Sequence, residues 1–244
     1  MSAVRFDHVS KAFGTQTILD DLSFEVPAGR AFCLLGRSGT GKSVTLRHIV
    51  GLVRPDSGHV FVEDRDVTTL AGRELAAARK HMGFLFQNAA LFDSMSVGDN
   101  VAFPMRRHTD WADADIRDRA KRKLADVGLD KEFDKMPADL SGGMKKRAGL
   151  ARAMALDPPI LLVDEPSAGL DPITAGEIDL LLVKAKQRGT TLVVVTHNIP
   201  SARVLGDGFA VLQDGRMLVS GTLAALEASE EPVVQAFMRA QGSG

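Results

Sequence analysis

An α/β fold is predicted, with a mostly parallel sheet, an antiparallel flank and a helical subdomain, and three patterns carry that prediction. Short apolar runs rich in Val, Leu and Phe recur at residues 31–35, 83–86, 160–163 and 192–195, each closed by loop residues, as strands buried on both faces read. Residues 4–9 and 22–26 alternate more, as strands with one wet face do. Between about Asn88 and Pro158 the spacing changes to that of helices.

In chain order, Val4 to Val9 and Leu22 to Val26 form the antiparallel flank, and Pro27-Ala28-Gly29 turns the chain into a first buried strand, Ala31 to Leu35. A glycine-rich loop leads to a helical Val44 to Val50, and Gly83 to Phe86 is the second buried strand. Asp113 to Val127 reads as a helix, with Ile116, Ala120, Leu124 and Val127 spaced along one side and charges on the other. A second helix opens at Ser141 and runs to about Leu156. Strands Ile160 to Val163 and Leu192 to Val195 follow, and Asp214-Gly215 sits between two apolar runs from Phe209 as a hairpin turn. A short helix and a Gly-Ser tail close the sequence. The chain reads as one domain: a core of residues 1–87 and 158–219, a helical subdomain of 88–157, and a C-terminal helix and tail of 220–244. It holds no internal repeat.

Composition narrows the function. With 45% hydrophobic and 25% charged residues, 244 residues bury one sizeable core. A formal net charge of −1 supplies no basic face to release counterions from nucleic acid, which is therefore not an expected partner. Cys33 is the single cysteine, so neither an internal disulfide nor a cysteine-built metal site is available; its apolar setting reads as buried strand, in a reducing compartment. No stretch approaches the roughly 18 apolar residues of a membrane span, and residues 1–9 lack a leader pattern. A cytoplasmic location is expected, so in transport another protein would form the pathway.

Gly36-Arg37-Ser38-Gly39-Thr40-Gly41-Lys42-Ser43, leading into Val44, is a complete P-loop between a strand and a helix. Its glycines let backbone N–H groups wrap phosphate at a helix N-terminus. Lys42 would neutralise the β and γ phosphates, and the Ser43 hydroxyl would complete a Mg²⁺ shell. Ile160-Leu-Leu-Val-Asp164-Glu165 ends a buried strand in two carboxylates. The lesser alternative is two solvated carboxylates capping a strand; beside a P-loop, Asp164 reads as binding the metal directly or through water, and Glu165 as the general base.

Leu140-Ser141-Gly142-Gly143-Met144-Lys145-Lys146-Arg147 resembles the signature motif of ABC ATPases, with Met144 where Gln is usual. The resemblance implies a P-loop NTPase core and a head-to-tail dimer around two ATP. In it Ser141, Gly142 and Gly143, at a helix N-terminus, bind the γ-phosphate held by a second copy's P-loop. Other family landmarks fall in order: Gln87 matches the Q-loop glutamine that touches Mg²⁺ and couples to the membrane subunit, Ser167 to Asp171 the D-loop, and His197 the switch histidine. Phe13 lies where an aromatic ring stacks on adenine, although Phe6 is nearby.

The stretch Phe86-Gln87 to Met105-Arg106, with Leu-Ser-Gly-Gly-Met and Gly169 to Thr174, is similar to the MlaF/Ttg2A branch of bacterial MCE-type phospholipid transporters. That implies an integral-membrane permease, an MCE-domain substrate-binding protein, and a peripheral place on the cytoplasmic face of the inner membrane. Asn100-Val-Ala-Phe-Pro also resembles importer ATPases, including those for amino acids. Val97, Val101, Phe103 and Met105 read either as permease contact or as core. Val233, Val234, Phe237 and Met238 read as a closing helix or as packing on a neighbour.

Three function classes compete. An ATPase that drives a transporter uses every motif found. A nucleic-acid or ribosome-linked protein of this family would need coiled-coil insertions or two fused cassettes, and a non-hydrolysing regulator would lack Glu165 or His197.

Overall fold

The computed structural model describes residues 1–240; the Gly-Ser tail expected at the end lies outside the described residues. Two strands, β1 (Ser2–Phe13) and β2 (Gln16–Pro27), pair antiparallel and continue into β4 (Ser57–Val62) and β5 (Arg65–Asp66), in sheet order β2-β1-β4-β5. The larger sheet is built from β3 (Ala31–Leu35), β6 (Met82–Leu85), β7 (Ile160–Asp164), β8 (Thr191–Thr196), β9 (Gly208–Gln213) and β10 (Arg216–Gly221), ordered β10-β9-β3-β8-β7-β6. Its strands are parallel except at the β9–β10 hairpin.

Both faces of this sheet's central strands β3, β7 and β8 are covered, which is why those strands run almost wholly apolar. Ala31, Cys33, Leu161, Val163, Leu192 and Val194 face a core shared with the helices, while Phe32, Leu34, Ile160, Leu162, Val193 and Val195 face the antiparallel sheet and α1 (Lys42–Ile49). Phe6, Phe24 and Phe32 stack across the gap between the sheets, with centroids 4.5 Å and 5.2 Å apart. Cys33 is fully buried, and burial pushes its thiol pKa up to about 12, so it stays a protonated packing group.

After α2 (Gly72–Arg79), helices α3 (Val97–His108), α4 (Asp113–Asp126) and α5 (Gly142–Ala153) fill the region expected to be helical, with α6 (Pro172–Gln187) beside β8 and α7 (Ile199–Leu205) against α6 and β3. Ile116, Ala120, Leu124 and Val127 are buried together as their spacing required. Helix α5 stops at Ala153, short of Leu156: after the Met154 N–H bonds the Leu150 carbonyl, the chain tightens into turns in which the Ala155 and Asp157 N–H groups bond the Arg152 and Met154 carbonyls. Val97, Val101 and Met105 are fully buried core, whereas Phe103 remains 37% exposed beside Phe92.

The C-terminal segment begins with strand rather than helix, since β10 runs to Gly221, and continues in two helices, α8 (Leu223–Glu227) and α9 (Pro232–Ala240). Val234 and Met238 pack into the chain's own core, with Phe237 against it, so only Val233 of the four stays open. Among the described residues, no helix is long and apolar enough to cross a membrane.

Candidate active site

An open α/β sheet binds ligands beyond the carboxyl ends of its strands. The order β3-β8-β7-β6 sets four such ends side by side: the P-loop after β3, His197 after β8, Asp164 and Glu165 at the end of β7, and Gln87 on the exposed turn after β6.

Sterics fix the path of the P-loop. Gly36 and Gly41 have φ of 155° and 99°, and a Cβ on them would lie 2.4 Å from the Leu212 carbonyl oxygen and 2.7 Å from that of Ile18. Only glycine fits. Arg37, Ser38 and Gly39 stand exposed at the tip, the Thr40 hydroxyl donates to the Arg37 carbonyl at 3.0 Å, and half-buried Val44 packs on the core below. Helix α1 has neither a side-chain cap nor an acidic residue in its first turn, so its leading N–H groups and positive dipole end fit phosphate. The Lys42 ammonium folds across the loop to the Gly36 and Arg37 carbonyls, 2.8 and 2.9 Å away, and lies 3.5 Å from Glu165 Oε1. Burial lowers its pKa, while Glu165 and Asp164 oppose that shift. Phe13 ends β1, 51% exposed, on the hairpin whose Ile18 touches Gly41; Phe6 is core.

The Ser43 hydroxyl donates to Asp164 Oδ1 at 2.8 Å. These adjacent hard oxygens at the phosphate loop suit a Mg²⁺ ion, which prefers oxygen ligands shared with phosphate. Burial raises the Asp164 pKa, and the Ser43 bond works against it. Glu165 leaves the strand at φ 46°, a left-handed conformation that non-glycine residues seldom adopt. Its Oε2 accepts from the Thr196 hydroxyl at 3.1 Å and the His197 amide at 3.3 Å, and lies 2.9 Å from His197 Nδ1. The half-exposed imidazole is thus joined to the carboxylate from the outer side.

Ser141, Gly142 and Gly143 lie elsewhere, at the start of α5. The Ser141 Oγ accepts from the Met144 amide at 3.3 Å, using a lone pair and leaving its O–H free to donate. Gly142 approaches Leu170, and a Cβ on Gly143 would lie 2.4 Å from Thr174 Cγ2, so the neighbours are the segment entering α6 rather than the P-loop. Asp171 caps α6 through the Ile173 and Thr174 amides.

Three contacts were not foreseen. Lys146 is buried, its pKa lowered by that burial, and its ammonium donates to the Glu165 main-chain oxygen at 2.8 Å. Asn198 Nδ2 donates to Ser167 Oγ at 3.2 Å, joining the histidine loop to the segment after Glu165. Arg152 reaches the Ala89 and Ala90 carbonyls on the turn after Gln87. The spacing of Gly143, Lys146 and Leu150 along the buried stripe of α5 is the signal that marks Lys146.

The family model described as "ABC transporter" matches residues 19–168. The "probable ribonucleotide transport ATP-binding protein mkl" of Mycobacterium tuberculosis is 42% identical over 99% of this chain and 68% of its own length. The "intermembrane phospholipid transport system ATP-binding protein MlaF" of Escherichia coli is 38% identical over 94% of this chain and 86% of its own. The "methionine import ATP-binding protein MetN" of Bradyrhizobium diazoefficiens is 39% identical over 96% and 70%. A dimeric ATP-binding cassette in a post-hydrolysis state, bound to ADP and Pi, superposes with a TM-score of 0.84 at 32% identity, covering 90% of this chain and 98% of that one.

Proposed function

Because the chain belongs to the ABC transporter ATP-binding family, whose cassettes bind and hydrolyse ATP coupled to transport, we propose that two copies close around two ATP and drive a permease that moves phospholipid. The supporting observation is the convergence on one sheet edge of Lys42, Ser43, Asp164, Glu165 and His197, with Ser43 bonded to Asp164 and Glu165 bonded to His197.

In this reading residues 36–44 wrap the phosphates, Lys42 exchanges its loop carbonyls for phosphate oxygens, and Phe13 stacks on adenine. Ser43, Asp164 and Gln87 would hold Mg²⁺, which would screen the negative charge of the phosphates. Glu165 accepts a proton from the attacking water as the O–P bond to the γ-phosphorus forms and the β–γ bridge bond breaks. His197 orients Glu165 and meets the γ-phosphate. Ser141, Gly142 and Gly143 of the second copy close the site from the other side, so neither site is complete in one chain. Residues 1–87 and 158–219 act as the nucleotide core, 88–157 as the helical subdomain, and 220–244 as a terminal extension.

The phospholipid cargo is supported by the name of the Escherichia coli relative and by the similarity around Phe86 to Arg106. It brings with it an MCE-domain partner and a place on the cytoplasmic face of the inner membrane. The methionine-import relative, at nearly equal identity, favours an amino-acid importer as the second reading. Tagging the chain in its native cell, solubilising membranes gently and identifying what co-purifies separates them. A permease with an MCE-domain protein and bound phospholipid is the expected result; an amino-acid permease would overturn the cargo, and no membrane partner would overturn the transport role.

A further inference from the structure

Among the described residues only two lysines are buried, Lys42 in the P-loop and Lys146 in α5, each 5% exposed. An ammonium is costly to bury, and an apolar side chain of similar length would fill the same space without that cost. The group it meets is specific: the main-chain oxygen of Glu165, 2.8 Å away. Glu165 stands at φ 46°, a conformation that persists only where its surroundings over-determine it. Three backbone ties do so: its N–H donates to the Val195 carbonyl at 2.9 Å, and its carbonyl accepts from the nearby Ala168 N–H at 3.2 Å and, more closely, from the Lys146 ammonium of α5 at 2.8 Å.

The same helix makes a second link of this kind. Arg152 donates to the Ala89 and Ala90 carbonyls at 2.8 and 2.7 Å, and those alanines are also left-handed, with φ of 58° and 51°. Helix α5 therefore holds two strained turns, one carrying the hydrolytic carboxylate and one following Gln87.

We propose that Lys146 is a positioning residue that ties the signature helix to Glu165, fixing through the Glu165 carbonyl the direction in which its carboxylate meets the attacking water. Little more than one helical turn separates Ser141 from Lys146. Given the reading above, in which the start of α5 meets the second copy's ATP, the helix that senses one nucleotide holds the base acting on the other.

Steady-state ATP turnover and titration with a fluorescent ATP analogue, on the purified full-length chain, test this. Lys146→Met, which removes the donor and the charge at nearly constant volume, is expected to lower kcat on the order of 100-fold, the scale of a misplacement near 1 Å. Analogue affinity and melting temperature should stay near wild type, and Lys146→Arg should recover most of the lost turnover. In a Glu165→Gln background, Lys146→Met should leave the ATP-dependent dimer intact. Turnover within twofold of wild type in Lys146→Met overturns the proposal. So does a parallel fall of kcat and affinity that Lys146→Arg does not rescue, or loss of the dimer in the double variant. If Lys146→Met does not fold, Lys146→Gln, neutral and too short to reach the carbonyl, carries the same expectations and the same refutations. Absence of turnover in the wild type, or of a dimer in Glu165→Gln alone, would instead fault the ATPase reading itself.

Discussion

Replacing Glu165 with Gln isolates the proton-acceptor role proposed for it from everything else the residue does. The carboxylate Oε2 accepts from Thr196 and from the His197 amide and lies against His197 Nδ1, and an amide oxygen in the same place can keep accepting. The amide nitrogen then replaces Oε1, which lies 3.5 Å from the Lys42 ammonium. Lys42 retains its bonds to the Gly36 and Arg37 carbonyls, so the fold should hold. What disappears is the proposed base, and a positioned general base is worth about 10²- to 10⁴-fold, or roughly 2.7–5.4 kcal/mol of barrier. Binding should move the other way, if at all, because removing a buried negative charge beside the place proposed for the γ-phosphate relieves repulsion. Phosphate release measured against ATP concentration, with light scattering of the chain in ATP and Mg²⁺, reads both quantities. Turnover lost with affinity within about threefold of wild type and a long-lived dimer is the expected outcome. Turnover retained at more than about a tenth of the wild-type rate would refute the assignment of the base.

Gly143→Ala forces a Cβ to within 2.4 Å of Thr174 Cγ2, and Thr174 is held by its hydroxyl bond to Asp171, so a stability loss of about 1–3 kcal/mol is expected in a thermal melt. An unchanged melting temperature would show that α5 and α6 yield easily. Asn100 is fully buried and bonds the Phe92 amide and the Phe92, Met95 and Ser96 carbonyls. Asn100→Ala should cost about 2–3 kcal/mol and open residues 92–96 to protease, and equal digestion rates would argue against this. Asp179 is buried in α6 with Oδ1 unpartnered, and burial raises its pKa against the opposing Ser201 bond. Between the unfolded and the folded pKa the folded chain binds more protons, so this residue's contribution to stability is full below the unfolded value and falls as pH rises through the folded one. Asp179→Asn should therefore gain stability over wild type at pH 7, with the gain shrinking towards pH 4 in denaturant titrations. A difference that does not vary with pH would refute the raised pKa.

The readable parts of the fold were those whose burial is written locally. Strands β3 and β7 are apolar on both faces, so their runs stand out. Strand β4 was missed because Ser57-Gly58-His59 opens it with polar residues, and it becomes a strand through pairing with distant β1, where His59 faces Asp7. Helix α6 was missed because Leu180-Leu181-Leu182-Val183 blurs the helical period; Asp171 and Pro172 at its start were the stronger signs.

The site divides on the same line. Residues 36–44 form a contiguous pattern whose spacing states its chemistry, and Asp164 is found because a strand must carry it to Ser43. Lys146, Arg152 and Asn198 do not announce themselves this way. The two cations take main-chain carbonyls as partners, and Asn198 takes a serine hydroxyl thirty-one positions away; a carbonyl is present at every position and so leaves no trace in the sequence. What the sequence does contain is the cost: a lysine in the stripe that also carries Gly143 and Leu150 must either fail to bury or find an acceptor. A charge on the buried face of a motif helix is therefore a reason to look for a link between parts of the site that the motifs, taken one at a time, leave separate.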